Sequence, residues 1–171
     1  MERLDQNGWQ RVANAWSLQC DGFEESFEDY ASASIPVLRD FAEAEAEFNA
    51  NAGVYAATKG EEYLAICQAN STLLPGYTGK VLRIRHIVLA PKFDFSEEVT
   101  LREYERALVT VFHGALHVAD YDMPSHHIKF HLRSRAEREF ASAFTEALRG
   151  YDQFTLAEMR GAWIYLSRTP V

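Results

Sequence analysis

The stretch Val81-Leu-Arg-Ile-Arg-His-Ile-Val-Leu-Ala-Pro-Lys-Phe93, running on into Asp94-Phe-Ser-Glu-Glu98, constrains the fold more tightly than any other part of the chain. Its apolar, β-branched run over 81–90 predicts a strand, Pro91 ends that strand, and helical periodicity begins at Val99. A strand that feeds directly into a helix presents free backbone N–H groups and the positive end of the helix dipole, so an anion can rest there. This loop nevertheless has no glycine, and it carries the acids Asp94, Glu97 and Glu98.

The remaining elements follow from periodicity. Residues 9–18 alternate weakly and predict a first strand, and 23–32 read as a short acidic helix. A second helix starts with Ser34 as N-cap and Pro36 in its first turn. It carries Leu38, Phe41, Ala42, Glu45 and Phe48 at helical spacing and closes over 51–53. Strands over 53–58, 62–71 and 81–90, separated by Lys59-Gly60-Glu61 and by a turn from Pro75 to Gly79, form an antiparallel meander. Over 99–119, Leu101, Tyr104, Leu108, Val111, Phe112, Ala115, Leu116 and Ala119 make one apolar arc that also contains Glu105. Arg102, Arg106, Thr110, His113 and His117 lie opposite. A strand over 126–133 comes next, then a helix with a Ser134/Glu137 capping box and Gly150 at its end, then a strand over 154–168 kinked at Gly161.

The 171 residues, 47% hydrophobic and 13% aromatic, suffice for one packed core, so a single domain over 1–171 is expected. No run approaches a membrane span and the first residues lack a secretory apolar core, which makes a cytoplasmic location the expectation. Cys20 and Cys67 fit no C-x-x-C pattern and read as structural thiols. The net charge of −8 is uneven: residues 1–50 hold 11 of the 25 acids and 3 of the 17 bases. Such a balance disfavours nucleic acid and suits a cationic partner near the first segments.

Five of the six histidines fall between 113 and 131, and His113 and His117 have a metal-ligand spacing. Arg102 and Arg106 share the face of His113 and His117 and no Glu stands between the two histidines, so no metal site is expected. On the strand after Pro124, His127, Lys129, His131 and Arg133 point one way, while Arg83 and Arg85 share a side of the earlier strand. Together they make a basic patch able to receive a phosphate or carboxylate, or else long side chains that pair with Glu62, Glu158 and the acidic helices. Glu105 on its apolar arc and Glu158 within the last strand are the carboxylates best placed for a raised pKa, the property of a general base.

The order β-α-α-β-β-β-α-β-α-β resembles, over essentially the whole chain, the GNAT fold of acyl-CoA-dependent N-acyltransferases. Ile87-Val-Leu-Ala-Pro-Lys-Phe93 looks like that family's fourth strand and its Val-x-Pro-x-Tyr/Phe exit, and Ser134-Arg-Ala-Glu-Arg-Glu-Phe140 with Gly150-Tyr151 is similar to its Asn-x-x-Ala…Gly-Phe signature. The resemblance implies an α+β domain with a mixed, mostly antiparallel sheet whose fourth and fifth strands splay apart, opening a V near Ala90 and Arg133. It further implies an acetyl-CoA or other acyl-CoA site, with pantetheine on the backbone of Ile87, Val88 and Leu89 and the pyrophosphate near Ser96, Thr100, Arg102 and Arg135. His86, Glu105 and Glu158 are then the candidate bases for a small, cationic amine, drawn by acidic helices on the acceptor side. The family's Arg/Gln-x-x-Gly-x-Gly/Ala loop reads Asp-Phe-Ser-Glu-Glu-Val-Thr here, and its general-acid tyrosine falls near Phe140 or Ala141. A GNAT-like domain that binds a different small ligand or a protein partner is the alternative.

Overall fold

Long runs that bury both faces of a strand, as at 54–57 and 64–69, demand a sheet covered on two sides. The computed structural model describes residues 1–44 and 49–169, apart from the side chains of Arg135 and Ala136. The chain runs β1 (Glu2–Leu4), α1 (Gln6–Gly22), α2 (Ile35–Glu43), β2 (Ala52–Lys59), β3 (Glu62–Leu73), β4 (Lys80–Leu89) and a one-turn α3 (Lys92–Phe95). It continues through α4 (Leu101–His117), a π-helical turn (Val118–Asp122), β5 (His127–His131), α5 (Arg135–Leu148), β6 (Phe154–Arg160) and β7 (Trp163–Arg168). One seven-stranded sheet has the order β1-β2-β3-β4-β5-β7-β6, antiparallel throughout except for the parallel pair β4 and β5.

Each face of the sheet has its own core. Leu82, Ile84, Ile128, Phe130 and Ile164 pack with Leu108, Val111 and Phe112 of α4 on one side. On the other, Val54, Ala56, Ile66 and Val88 meet Trp9, Val12, Trp16 and Leu38 of α1 and α2. Phe112 sits 4.3 Å from Phe130 and 4.6 Å from Phe144, ring to ring, which ties both helices of the first face to β5.

Several sequence expectations are corrected. Residues 9–18 are helix, because Trp9, Val12, Trp16 and Cys20 recur on one buried face and Asp5 caps the first turn, its side chain accepting from Gly8 N at 2.7 Å. Residues 23–32 form turns, with Glu24 at φ 58° and Ala31 at φ 47°, in place of an acidic helix. The second helix stops at Glu43; Glu45 and Phe48 lie outside the described residues. The long helix begins at Leu101, which is exposed, and the predicted final strand is a hairpin turned by Gly161 at φ 59°. The single-residue kink was the wrong reading of a glycine that a two-residue turn requires.

What positions the site is the parting of β4 from β5. They pair from Val81↔His127 to Ile84↔Phe130 and no further, although β4 continues to Leu89. At the same point the register against β3 slips by one, so that His86 and Ile87 face Cys67 alone. His86 takes φ 50°, a left-handed backbone that a non-glycine residue holds only when its surroundings fix it.

Candidate functional site

A cleft of about 350 Å³ opens where the strands part. Its walls are Ile87, Val88 and Leu89 of β4, the α1–α2 connection from Asp29 to Ser34, Asp94 and Tyr104, and Arg133, Ser134 and Glu137 at the start of α5. Ala90 N donates to Leu64 O at 2.9 Å, so Ala90 and, by alternation, Val88 turn their backbone groups to β3. Leu89 turns its own away, its carbonyl meeting Tyr30 at the cleft. Of the three backbone positions expected to hold pantetheine, Leu89 faces the cleft and Val88 faces β3.

The Leu89 carbonyl already has a partner. Tyr30 Oη donates to it at 2.7 Å and lies 2.9 Å from Asp94 Oδ2. The ring is fixed by Trp16 at 6.3 Å and Phe95 at 5.5 Å, and Phe95 in turn meets Phe23 at 5.9 Å. Burial, followed by the neighbouring Asp94 carboxylate, drives the Tyr30 phenol well above its ordinary pKa, so it stays a donor.

Beside the bulge, His86 Nδ1 is 3.3 Å from Ser34 Oγ, and the Arg133 guanidinium donates to the same hydroxyl. His86 is half-buried, and burial first, then Arg85, Arg133 and His131, hold its pKa below the usual histidine value. His131 is shifted the same way by burial, Arg85 and Arg133. A neutral imidazole at pH 7 can accept a proton, which is the state a base requires. Tyr104, across the cleft, is also pushed up by burial while its hydroxyl meets Ser134, leaving a protonated phenol at the opening.

Both helix N-termini at the cleft are closed by the chain's own carboxylates. At α4, Glu103 N donates to Thr100 Oγ1 at 3.3 Å, while Thr100 N and Oγ1 donate to Glu103 Oε2 at 2.9 and 2.8 Å. Those hydrogen bonds, the backbone one first, lower the Glu103 pKa. At α5, Glu137 Oε2 accepts from Ser134 N at 3.0 Å and from Arg133 N at 2.6 Å. The Thr100 groups expected to cradle a pyrophosphate are thus engaged. Ser96 Oγ accepts from Glu98 N at 3.2 Å, Glu97 and Glu98 are exposed, and Arg102 is exposed. The Arg135 side chain lies outside the described residues. Beside the cleft, the carboxylate of Glu103 therefore occupies the α4 terminus.

The two candidate carboxylate bases are not part of the cleft wall. Glu105 is half-buried on α4, and Glu158 is on β6, the outer strand beyond β7, in an ion pair with Arg160. His86 alone of the three candidate bases adjoins the opening. The sequence reading missed Tyr30, Tyr104 and Glu103 as site residues. Thr100-x-x-Glu103 has the capping-box spacing and was legible; no periodicity in 23–34 marks Tyr30.

No protein-family model and no curated protein matches the sequence. Solved structures similar in fold include an integron cassette protein from the mobile metagenome of V. cholerae, with TM-score 0.47 and 12% identity over 94% of this chain and 91% of that one. A possible acetyltransferase from Clostridium difficile 630 has TM-score 0.47 and 11% identity over 94% and 95%. An aminoglycoside acetyltransferase from an uncultured soil metagenomic sample, in complex with sisomicin, has TM-score 0.41 and 8% identity over 94% and 93%. Scores below 0.5 add nothing to what the strand order and the parting of β4 from β5 already show.

Proposed function

We propose that this chain is a GNAT-like N-acyltransferase that holds the acyl-pantetheine arm of an acyl-CoA against the free edge of β4 and acylates a small amine. The observation that carries the reading is the cleft itself, a parallel strand pair that separates after Ile84 and Phe130 and leaves the Leu89 backbone facing the gap. A bound acyl-CoA supplies the activated acyl carbon. Backbone N–H groups on the edge at Ile87 and Leu89 orient its amides and offer donors to the acyl oxygen. His86 takes the proton that an incoming ammonium must lose, and Tyr104 holds a proton near the leaving side. Asp29, Asp94 and Glu137 on the wall favour a cationic acceptor.

Glu103 at the α4 terminus and Tyr30 on the Leu89 carbonyl favour a second reading, a GNAT-like domain that binds a different small ligand or a protein partner. Calorimetry of the folded protein with acetyl-CoA and with longer acyl-CoAs separates the two. Saturable heat from any of them supports the transferase, and none from all of them leaves the binding domain.

A further inference from the structure

The core beneath α1 and α2 draws on β1 to β4 and includes no residue of β5, β6 or β7. On the far half of the sheet, β4, β5, β7 and β6 place Arg83, Lys129, Tyr165 and Glu158 in one row by direct register, and His131, Trp163 and Arg160 in the next. Arg85, two residues along β4 from Arg83, shares that side. All are half-buried except Arg160, which is exposed, while the alternate residues Ile128, Phe130 and Ile164 are fully buried on the helix side. Paired strands lie about 4.8 Å apart and alternate residues about 6.6 Å apart. Four cationic or titratable side chains therefore rise on one side of β4 and β5, Arg83 and Lys129 from paired positions and Arg85 and His131 just past the point where the strands part.

Arg83, Arg85 and Lys129 are short of acids among the described residues, while Glu137 acts on His131. Glu158 pairs with Arg160 and Glu62 with Lys92, so neither serves the patch. Arg83, Arg85 and Lys129 make no ion pair among the described residues, and Arg83 Nε is buried with no hydrogen-bond partner. Lys129 Nζ is held over two rings, 4.7 Å from the centroid of Trp163 and 4.5 Å from that of Tyr165. Like charges kept together around an unsatisfied guanidinium donor are costly alone and favourable around an anion with several acceptor oxygens. A chain of net charge −8 repels a polyanion.

We infer that Arg83, Arg85, Lys129 and His131 form a binding site for one compact oxyanion, the phosphate or carboxylate group of a small ligand, on the open face of β4, β5 and β7. This site does not depend on acyl transfer in the neighbouring cleft.

Thermal unfolding of the intact protein in inorganic phosphate, in citrate and in sodium chloride at matched ionic strength tests it. Phosphate or citrate at millimolar concentration raises the midpoint beyond chloride saturably, by ligand linkage to the native state, and by more in the wild type than in the variants below, on which the general stabilisation by excluded anions acts alike. Stronger response to phosphate assigns a phosphoryl ligand, and stronger response to citrate a carboxylate one. The double variant Arg83→Gln with Lys129→Gln weakens the better anion about tenfold or more, since two charge-assisted bonds are lost, whereas Lys59→Gln at the exposed end of β2 binds as the wild type. Lys129→Met, which keeps the stem over the rings, gives the same direction if the double variant does not fold. Equal midpoints in all three salts, or undiminished binding by the folded variants, overturns the inference.

Discussion

Tyr30 decides more at the cleft than any other single side chain, because its hydroxyl occupies the carbonyl on the strand edge that the proposed ligand would use. Tyr30→Phe removes that donor and leaves a buried carbonyl unpaired, a loss of about 1–3 kcal/mol of stability by urea unfolding. It also frees Leu89, so acetyl-CoA binding by the folded variant tightens. Unchanged affinity would show that the Leu89 carbonyl is not used. His86 carries a pH signature with a definite sign. Its folded pKa is depressed, so the unfolded chain binds more protons below about 6.5 and the imidazole's contribution to stability is lost as pH falls through that value. In His86→Gln, urea unfolding between pH 5 and 7.5 therefore has a shallower rise with pH than in the wild type; a parallel or steeper rise contradicts the assignment. Little of this was visible beforehand. His86 was singled out for its place in the strand, but its φ of 50° comes from a one-residue register slip that no local pattern records.

Among the elements, α4 is the informative one. Its apolar arc was legible because Leu108, Val111, Phe112 and Ala115 recur at 3.6 residues, and the structure buries all four. Its first turn was read through Glu97 and Glu98, whereas the carboxylate that closes it is Glu103. Thr100→Ala removes the hydroxyl that accepts from Glu103 N, and because α4 carries Phe112 in the core, the whole domain loses about 1 kcal/mol in urea. Glu103→Gln keeps an acceptor at the cap and deletes its charge, so CoA binding tightens, and more so than in Glu97→Gly with Glu98→Gly, whose acids point to solvent. Equal affinity in the wild type and Glu103→Gln, measured by calorimetry, would place the pyrophosphate away from this helix. By contrast α1 was misread as a strand, since two tryptophans and a valine in ten residues satisfy a loose alternation as well as a helical face, and the tertiary contact with β2 and β3 chose the helix.

For the molecule as a whole, the meander of β2, β3 and β4 and the place of β5 beside β4 were recoverable, because the strand-helix-strand crossover leaves few alternatives, whereas β1 and the β6–β7 hairpin were not. The parallel β4–β5 pair and its early parting are the architecture expected from the resemblance. The contents of the gap were not recoverable, since Tyr30 and Ser34 reach it from a turn segment 59 and 52 residues away from their partners Leu89 and His86. No helix among the described residues is long and apolar enough to cross a membrane.

The proposed transferase requires the free edge of β4 to receive an acyl-pantetheine arm. Backbone amide NMR of the folded protein during a titration with acetyl-CoA tests that directly. The predicted result is saturable shifts at the Ile87 and Leu89 amides and at Tyr30, with β1 and β2 unmoved. Shifts that leave Ile87, Leu89 and Tyr30 in place, or no shifts at any amide, would contradict it.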